Sequence, residues 1–195
     1  MYHSLLLNTI FYNSLFALDL QIAHQYQQSH CPFCGGKLHQ AHYRRIPLGV
    51  PTGVHEDYSL RFSYCCASEG CRKRLTTPSM RFLSRKQYSS VIIIVIFMLK
   101  SNTDESKVEE INLLINGSLS VETVRRWRRY WVNKVTQSHT FTIAAFTHKT
   151  ALSMPSSLLV KFKKNAEQSL ALALKWLLPL TTGVALFDTP VEVNI

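Results

Sequence analysis

The sequence predicts an α+β protein: a small antiparallel β module built on cysteines, followed by a mainly α-helical segment containing a helix-turn-helix. Three observations carry that expectation. Two cysteine groups bracket a strand–turn–strand pattern. Capped, apolar-periodic helices come after them. Positive charge gathers on the same middle part of the chain. At 195 residues there is room for one ordinary domain or two small ones. The chain is expected to divide into an N-terminal amphipathic helix (1–30), a cysteine ribbon (31–85), a helix-turn-helix (86–135) and a C-terminal linker and helix (136–195).

The N-terminal stretch MYHSLLLNTIFYNSLFALDLQIA has no basic leader region and no small-residue cleavage site, so it does not read as a secretory signal. Asn8, Asn13 and Asp19 interrupt its apolar run, which argues against a membrane span and for an amphipathic helix over about residues 9–28. The expected compartment is therefore the cytoplasm, where cysteines serve as metal ligands or plain thiols rather than disulfides.

The first cysteine group reads His30-Cys31-Pro32-Phe33-Cys34-Gly35-Gly36, and the second Tyr64-Cys65-Cys66-Ala67-Ser68-Glu69-Gly70-Cys71. A Cys-x2-Cys turn points two thiolates at one place, and the glycine after it lets the backbone turn its amides toward the sulfurs. Two such turns at the tips of two hairpins give the four-sulfur tetrahedral shell that zinc takes in structural sites. The predicted ligands are Cys31, Cys34, Cys66 and Cys71, for one Zn2+ per chain. Cys66 makes the tighter second loop, while Cys65 competes with it for the third position. His30, His39, His42 and His55 are substitute donors that read more simply as surface residues. Between the groups lie a strand from Lys37 to Ile46, the turn-rich PLGVPTG and a strand from Ser59 to Cys65. That is the outline of a zinc ribbon, whose core is so small that the metal must carry much of its stability.

Residues 86–100 read as a helix, and Val91 to Leu99 is too short a run to cross a bilayer. A second helix is expected from about Asp104 to Ile115, with Val108, Ile111, Leu114 and Ile115 as its stripe and Asn116-Gly117 as its stop. Ser120 caps a third helix. There Val121, Val124, Trp127, Trp131 and Val135 share one face; Arg125, Arg126 and Arg129 lie opposite, with Arg128 at the edge. Two helices, a short Gly-containing turn and an arginine-faced second helix form a DNA-reading helix-turn-helix. Residues 136–165 are polar and weakly periodic, and 166–178 form an apolar helix stopped by Pro179. Lys175, Pro179 and Gly183 break the only other long apolar stretch, 170–187, so no membrane partner is expected.

The formal net charge is +10, and residues 31–86 hold ten Lys or Arg against three acids. A localised positive field attracts polyanions, nucleic acid first. Arg72, Lys73, Arg74, Arg81 and Arg85 follow the last cysteine and suit sequence-independent phosphate contact. The sequence has no phosphate-binding Gly-rich loop, no His-Glu-x-x-His and no nucleophile elbow, so no enzyme is expected.

The order Cys-Pro-x-Cys-Gly ribbon, basic link, and helix-turn-helix with Thr123-Val124-Arg125-Arg126-Trp127 resembles the N-terminal modules of insertion-sequence transposases and their short DNA-binding accessory proteins. The second knuckle also resembles the zinc fingers of phage late-gene activators. The resemblance covers about residues 31–135. It implies zinc on Cys31, Cys34, Cys66 and Cys71 and DNA on Ser120 through Val132. A transposase strand-transfer core needs three spaced acids on a large α/β fold. After Val135 the chain offers only Glu167, Asp188 and Glu192. The expected function is thus a zinc-stabilised DNA-binding protein without its own catalytic core: a mobile-element accessory or remnant, or a transcription regulator. The alternative is a zinc-ribbon interaction module that forms a homo-oligomer or docks a partner protein through its apolar helices.

Overall fold

The computed structural model describes residues 6–83, 87–93 and 105–130, together with Asn133. Helix α1 spans Thr9–Gln28. Its first turn is capped by Asn8, whose side-chain oxygen accepts from the Phe11 N–H at 3.1 Å. Ser29 ends it, donating from its amide and its hydroxyl to the Tyr26 carbonyl. One face is buried through Phe11, Tyr12, Leu15, Phe16, Ile22 and Ala23, and the same face carries an acid, Asp19.

The two expected strands exist, but each is broken in two. The first becomes β1 (Leu38–Gln40) and β2 (Tyr43–Arg44). The second becomes β3 (Leu60–Arg61), which follows a 3-10 turn at Glu56–Ser59, and β4 (Ser63–Cys66). β2 and β3 pair antiparallel in a sheet of their own, with Tyr43 opposite Arg61. β1 and β4 pair antiparallel with Leu38 opposite Cys66 and Gln40 opposite Tyr64. The break falls where His42 takes the place of backbone: its Nδ1 accepts from the Ser63 N–H at 3.1 Å. A further strand, β5 (Arg74–Thr76), forms where the sequence predicts only a basic flank. It completes a three-stranded sheet in the order β1-β4-β5, with Cys65 opposite Arg74.

Beneath the sheets lies a buried ion pair. Asp19 and Arg81 are both fully buried. Arg81 Nε donates to Asp19 Oδ2 at 2.7 Å, its Nη2 to the Leu60 carbonyl at 2.8 Å, and its Nη1 to the Tyr58 carbonyl. Asp19 also accepts from the Met80 N–H at 2.5 Å and from the Ser79 hydroxyl. Rings of Phe16, Tyr58, Phe62 and Phe82 lie 4.8 to 5.3 Å from the guanidinium carbon. This layer ties α1 to the segment after β5, and it corrects the expectation that Arg81 contacts phosphate. A guanidinium with no exposed surface, already matched by a carboxylate, is part of the core. Arg85 lies outside the described residues.

Residues 90–93 are helical; the rest of the helix expected over 86–100 lies outside the described residues, apart from 87–89, which precede it. Helices α2 (Glu105–Ile115) and α3 (Val121–Tyr130) fall where expected. Asn116 adopts φ 45°, and the Gly117 N–H returns to the Asn112 carbonyl at 3.0 Å, closing α2. The Asn112 side chain then fastens the turn, donating to the Leu119 carbonyl at 2.8 Å and accepting its N–H at 2.6 Å. Ser120 caps α3 by accepting the Thr123 N–H at 3.1 Å. Val124 and Trp127 are buried, and Trp127 meets Tyr88 edge to face at 5.4 Å. Gly49, with φ +74°, lets the long loop between β2 and β3 lie against Ile92 and Ile115, where a Cβ would collide. Among the described residues no helix is long and apolar enough to cross a membrane. The stretch 170–187, the helix at 166–178, Trp131 and Val135 lie outside them.

Candidate metal centre

Two turns build the centre. In the first, the Gly35 N–H bonds the Cys31 carbonyl and the Cys31 N–H bonds the Gly36 carbonyl, both at 2.8 Å. Gly35 sits at φ +70°, a conformation that costs glycine nothing. In the second, the Ser68 carbonyl accepts from Cys71 and Arg72, and Arg72 takes φ 46°. The sheet registers the two turns: the Ala67 N–H bonds the Lys37 carbonyl at 2.9 Å, and the Cys66 N–H bonds the Lys73 carbonyl at 3.0 Å.

The result is one cluster of four sulfurs. Cys31, Cys34, Cys66 and Cys71 place their Sγ atoms within 4.8 Å of one another. Cys31 and Cys71 are 3.8 Å apart, and Cys34 and Cys66 are 3.3 Å apart. A tetrahedron with Zn–S bonds of about 2.3 Å has edges of about 3.8 Å. Four thiolates at that spacing form a plausible single metal site of the closed structural type.

The choice between Cys65 and Cys66 follows from strand alternation. Neighbours on β4 face opposite ways, so only one can reach the cluster. Cys66 is buried and joins it. Cys65 lies opposite His39 and Arg74, and its thiol faces the Arg72 carbonyl at 3.5 Å. Among the described residues no histidine belongs to the cluster. His42 is engaged with Ser63, and His55 accepts the Asp57 N–H at 3.1 Å and stacks on Phe16. His30 and His39 are exposed.

The electrostatics suit a cation. The Gly36 amide, with thiol and hydroxyl bonds from Cys66 and Ser68, lowers the Cys34 thiol to about 6. At Cys71 the Lys73 amide pulls the same way, but burial and the bonds to Cys34, Cys31 and Cys66 prevail and raise it to about 11. Without a metal the cluster thus favours charge at Cys34 and opposes it at Cys71. A divalent ion removes that conflict by stabilising every thiolate at once.

Gly36 and Ser68 are parts of the site that the ligand pattern alone does not reveal. A Cβ on Gly36 would run into Ser68 Oγ and approach the Cys66 and Cys34 sulfurs. The doubled glycine after Cys34 was the available signal; Ser68 left none.

Of the basic residues, Arg72, Lys73 and Arg74 are exposed beside the second knuckle. Arg125, Arg126 and Arg129 are exposed on α3, and Arg128 is half-buried. Arg129 pairs with Glu122 at 2.5 Å. Compared with protein-family models, with curated proteins and with solved structures, the chain has no significant match.

Proposed function

We propose that the protein is a zinc-stabilised, cytoplasmic DNA-binding protein with no catalytic core of its own, serving a mobile element as an accessory or remnant, or acting as a transcription regulator. The observation that carries this reading is the division of α3. Val124 and Trp127 anchor one side in the core, while Arg125, Arg126 and Arg129 project from the other. Guanidinium groups on an exposed helix face can hold phosphates or pair with guanine edges. The cysteine centre fixes the ribbon, whose Arg72, Lys73 and Arg74 add sequence-independent affinity.

The rival reading is an interaction module that oligomerises or docks a partner; it draws on the exposed side chains of Ile10, Ile46 and Leu113. Gel shifts of the metal-loaded protein on duplex DNA, repeated across salt, separate the two. DNA binding predicts affinity that falls steeply, by about 0.9 log unit per log unit of salt for each phosphate contacted. Arg126→Ala weakens it while the protein stays folded. A stable oligomer with no salt-sensitive DNA affinity contradicts the proposal and favours the interaction module.

A further inference from the structure

Arg74 begins β5, one of the two edge strands of the three-stranded sheet, and Lys73 immediately precedes it; each covers an aromatic ring. Lys73 Nζ stands 4.1 Å from the centre of Phe33, at the tip of the first knuckle. The Arg74 guanidinium carbon stands 5.6 Å from the centre of Tyr43, while its Nη2 donates to the Ala41 carbonyl at 3.4 Å. Both rings are unusually open for aromatics, Phe33 at 44% and Tyr43 at 38% exposure. The other described phenylalanines, in contrast, are buried. Neither exposed ring supports the core, and neither sits in the cysteine cluster.

The surroundings are cationic. Lys37, Arg72, Lys73 and Arg74 are exposed here, and Glu69 is the exposed acid of the second knuckle. Arg44, next to Tyr43, pairs with Asp57 at 3.4 Å. Open rings interleaved with cations have a specific complement. Unpaired bases stack on the rings through their π-faces, and the backbone phosphates between them meet the ammonium and guanidinium groups. Duplex DNA cannot use the rings, because its bases are already stacked on each other. Phe33 sits in the turn between Cys31 and Cys34 and Tyr43 on β2, so both rings are held by structured backbone and little entropy is lost in ordering them.

We infer that this ribbon edge is a binding platform for single-stranded nucleic acid, with Phe33 and Tyr43 as base-stacking surfaces and Lys73 and Arg74 as phosphate contacts. The inference extends the nucleic-acid reading above but uses different residues from α3, so the two can fail separately.

The test is fluorescence anisotropy of the metal-loaded full chain with a labelled 15-nucleotide thymidine strand and, separately, a labelled duplex. The variants are Phe33→Leu and Tyr43→Leu, which keep apolar bulk at exposed positions, Lys73→Gln with Arg74→Gln, and Arg125→Ala with Arg126→Ala. Retained metal content establishes that each variant is folded. The inference predicts single-strand affinity about tenfold weaker for each ring variant, with duplex affinity unchanged. It also predicts that the α3 variant loses duplex affinity and keeps the single strand. Unchanged single-strand binding in both ring variants overturns the platform and leaves the duplex reading standing. Failure of the wild type to bind the single strand overturns the platform outright, and failure to bind either form overturns both readings.

Discussion

At the cysteine knuckles, four sulfurs from two distant turns face one point, and the Gly36 amide, the Ser68 hydroxyl and neighbouring thiols bond the Cys34 sulfur. In the layer under the sheets the chain supplies both charges itself. Asp19 meets Arg81 at 2.7 Å, every polar atom of the pair points at a partner, and four rings exclude water. The first arrangement gathers four like donors into a plausible metal site, whereas the second is matched within the chain. The contrast shows that a basic composition is not one property. Arg81 belongs to the core, while Arg72, Lys73 and Arg74, a few residues earlier, belong to the surface.

The closed layer is the sharper target for mutation. Asp19→Asn leaves the Arg81 cation buried without its anion, and breaking a buried pair on one side costs about 3–5 kcal/mol. Urea unfolding of the metal-loaded protein should show that loss. The double change Asp19→Leu with Arg81→Met should recover much of it, because no unpaired charge then remains. A loss of under about 1 kcal/mol for Asp19→Asn would mean that the layer opens to water and is not the anchor described here.

The open cluster should reveal itself by proton release, a smaller effect. Between pH about 6 and about 11 the metal-free cluster holds Cys34 as thiolate and Cys71 as thiol. Metal binding must then displace the Cys71 proton but none from Cys34. These two groups together therefore raise metal affinity about tenfold per pH unit in that window. Below about 6 Cys34 is protonated as well, and their combined slope doubles. Competition with a chelator across pH checks this: the slope should steepen on the acid side, and one that flattens there contradicts the assigned ionisation of Cys34.

These two regions were not equally legible. The cysteine cluster could be read from spacing, since a Cys-x2-Cys turn and a loop between Cys66 and Cys71 are local features whose geometry travels with the sequence. The later helices were legible for the same reason: Asn116-Gly117 and Ser120 are local signals that the structure uses as stop and cap, whereas Asn8, read only as a break in the apolar run, caps α1. The Asp19–Arg81 pair joins residues 62 positions apart. Nothing near Arg81 in the sequence distinguishes it from a surface arginine, so only the fold reveals it. The strand breaks were hidden in a similar way. They depend on His42 bonding across to Ser63, a side-chain contact that alternation of apolar residues cannot signal. β5 was obscured by its neighbours, because Arg72-Lys73-Arg74 reads as a charged flank although its edge pairing with β4 is made by backbone.

The four clustered sulfurs of Cys31, Cys34, Cys66 and Cys71 are proposed to hold one zinc ion, with Cys65 taking no part. Native mass spectrometry of the wild type, Cys65→Ser and Cys66→Ser tests it most directly. One zinc per chain is expected in the wild type and in Cys65→Ser, and its loss in Cys66→Ser. A folded wild type without metal would contradict it, as would a Cys66→Ser protein that keeps its zinc while Cys65→Ser gives it up.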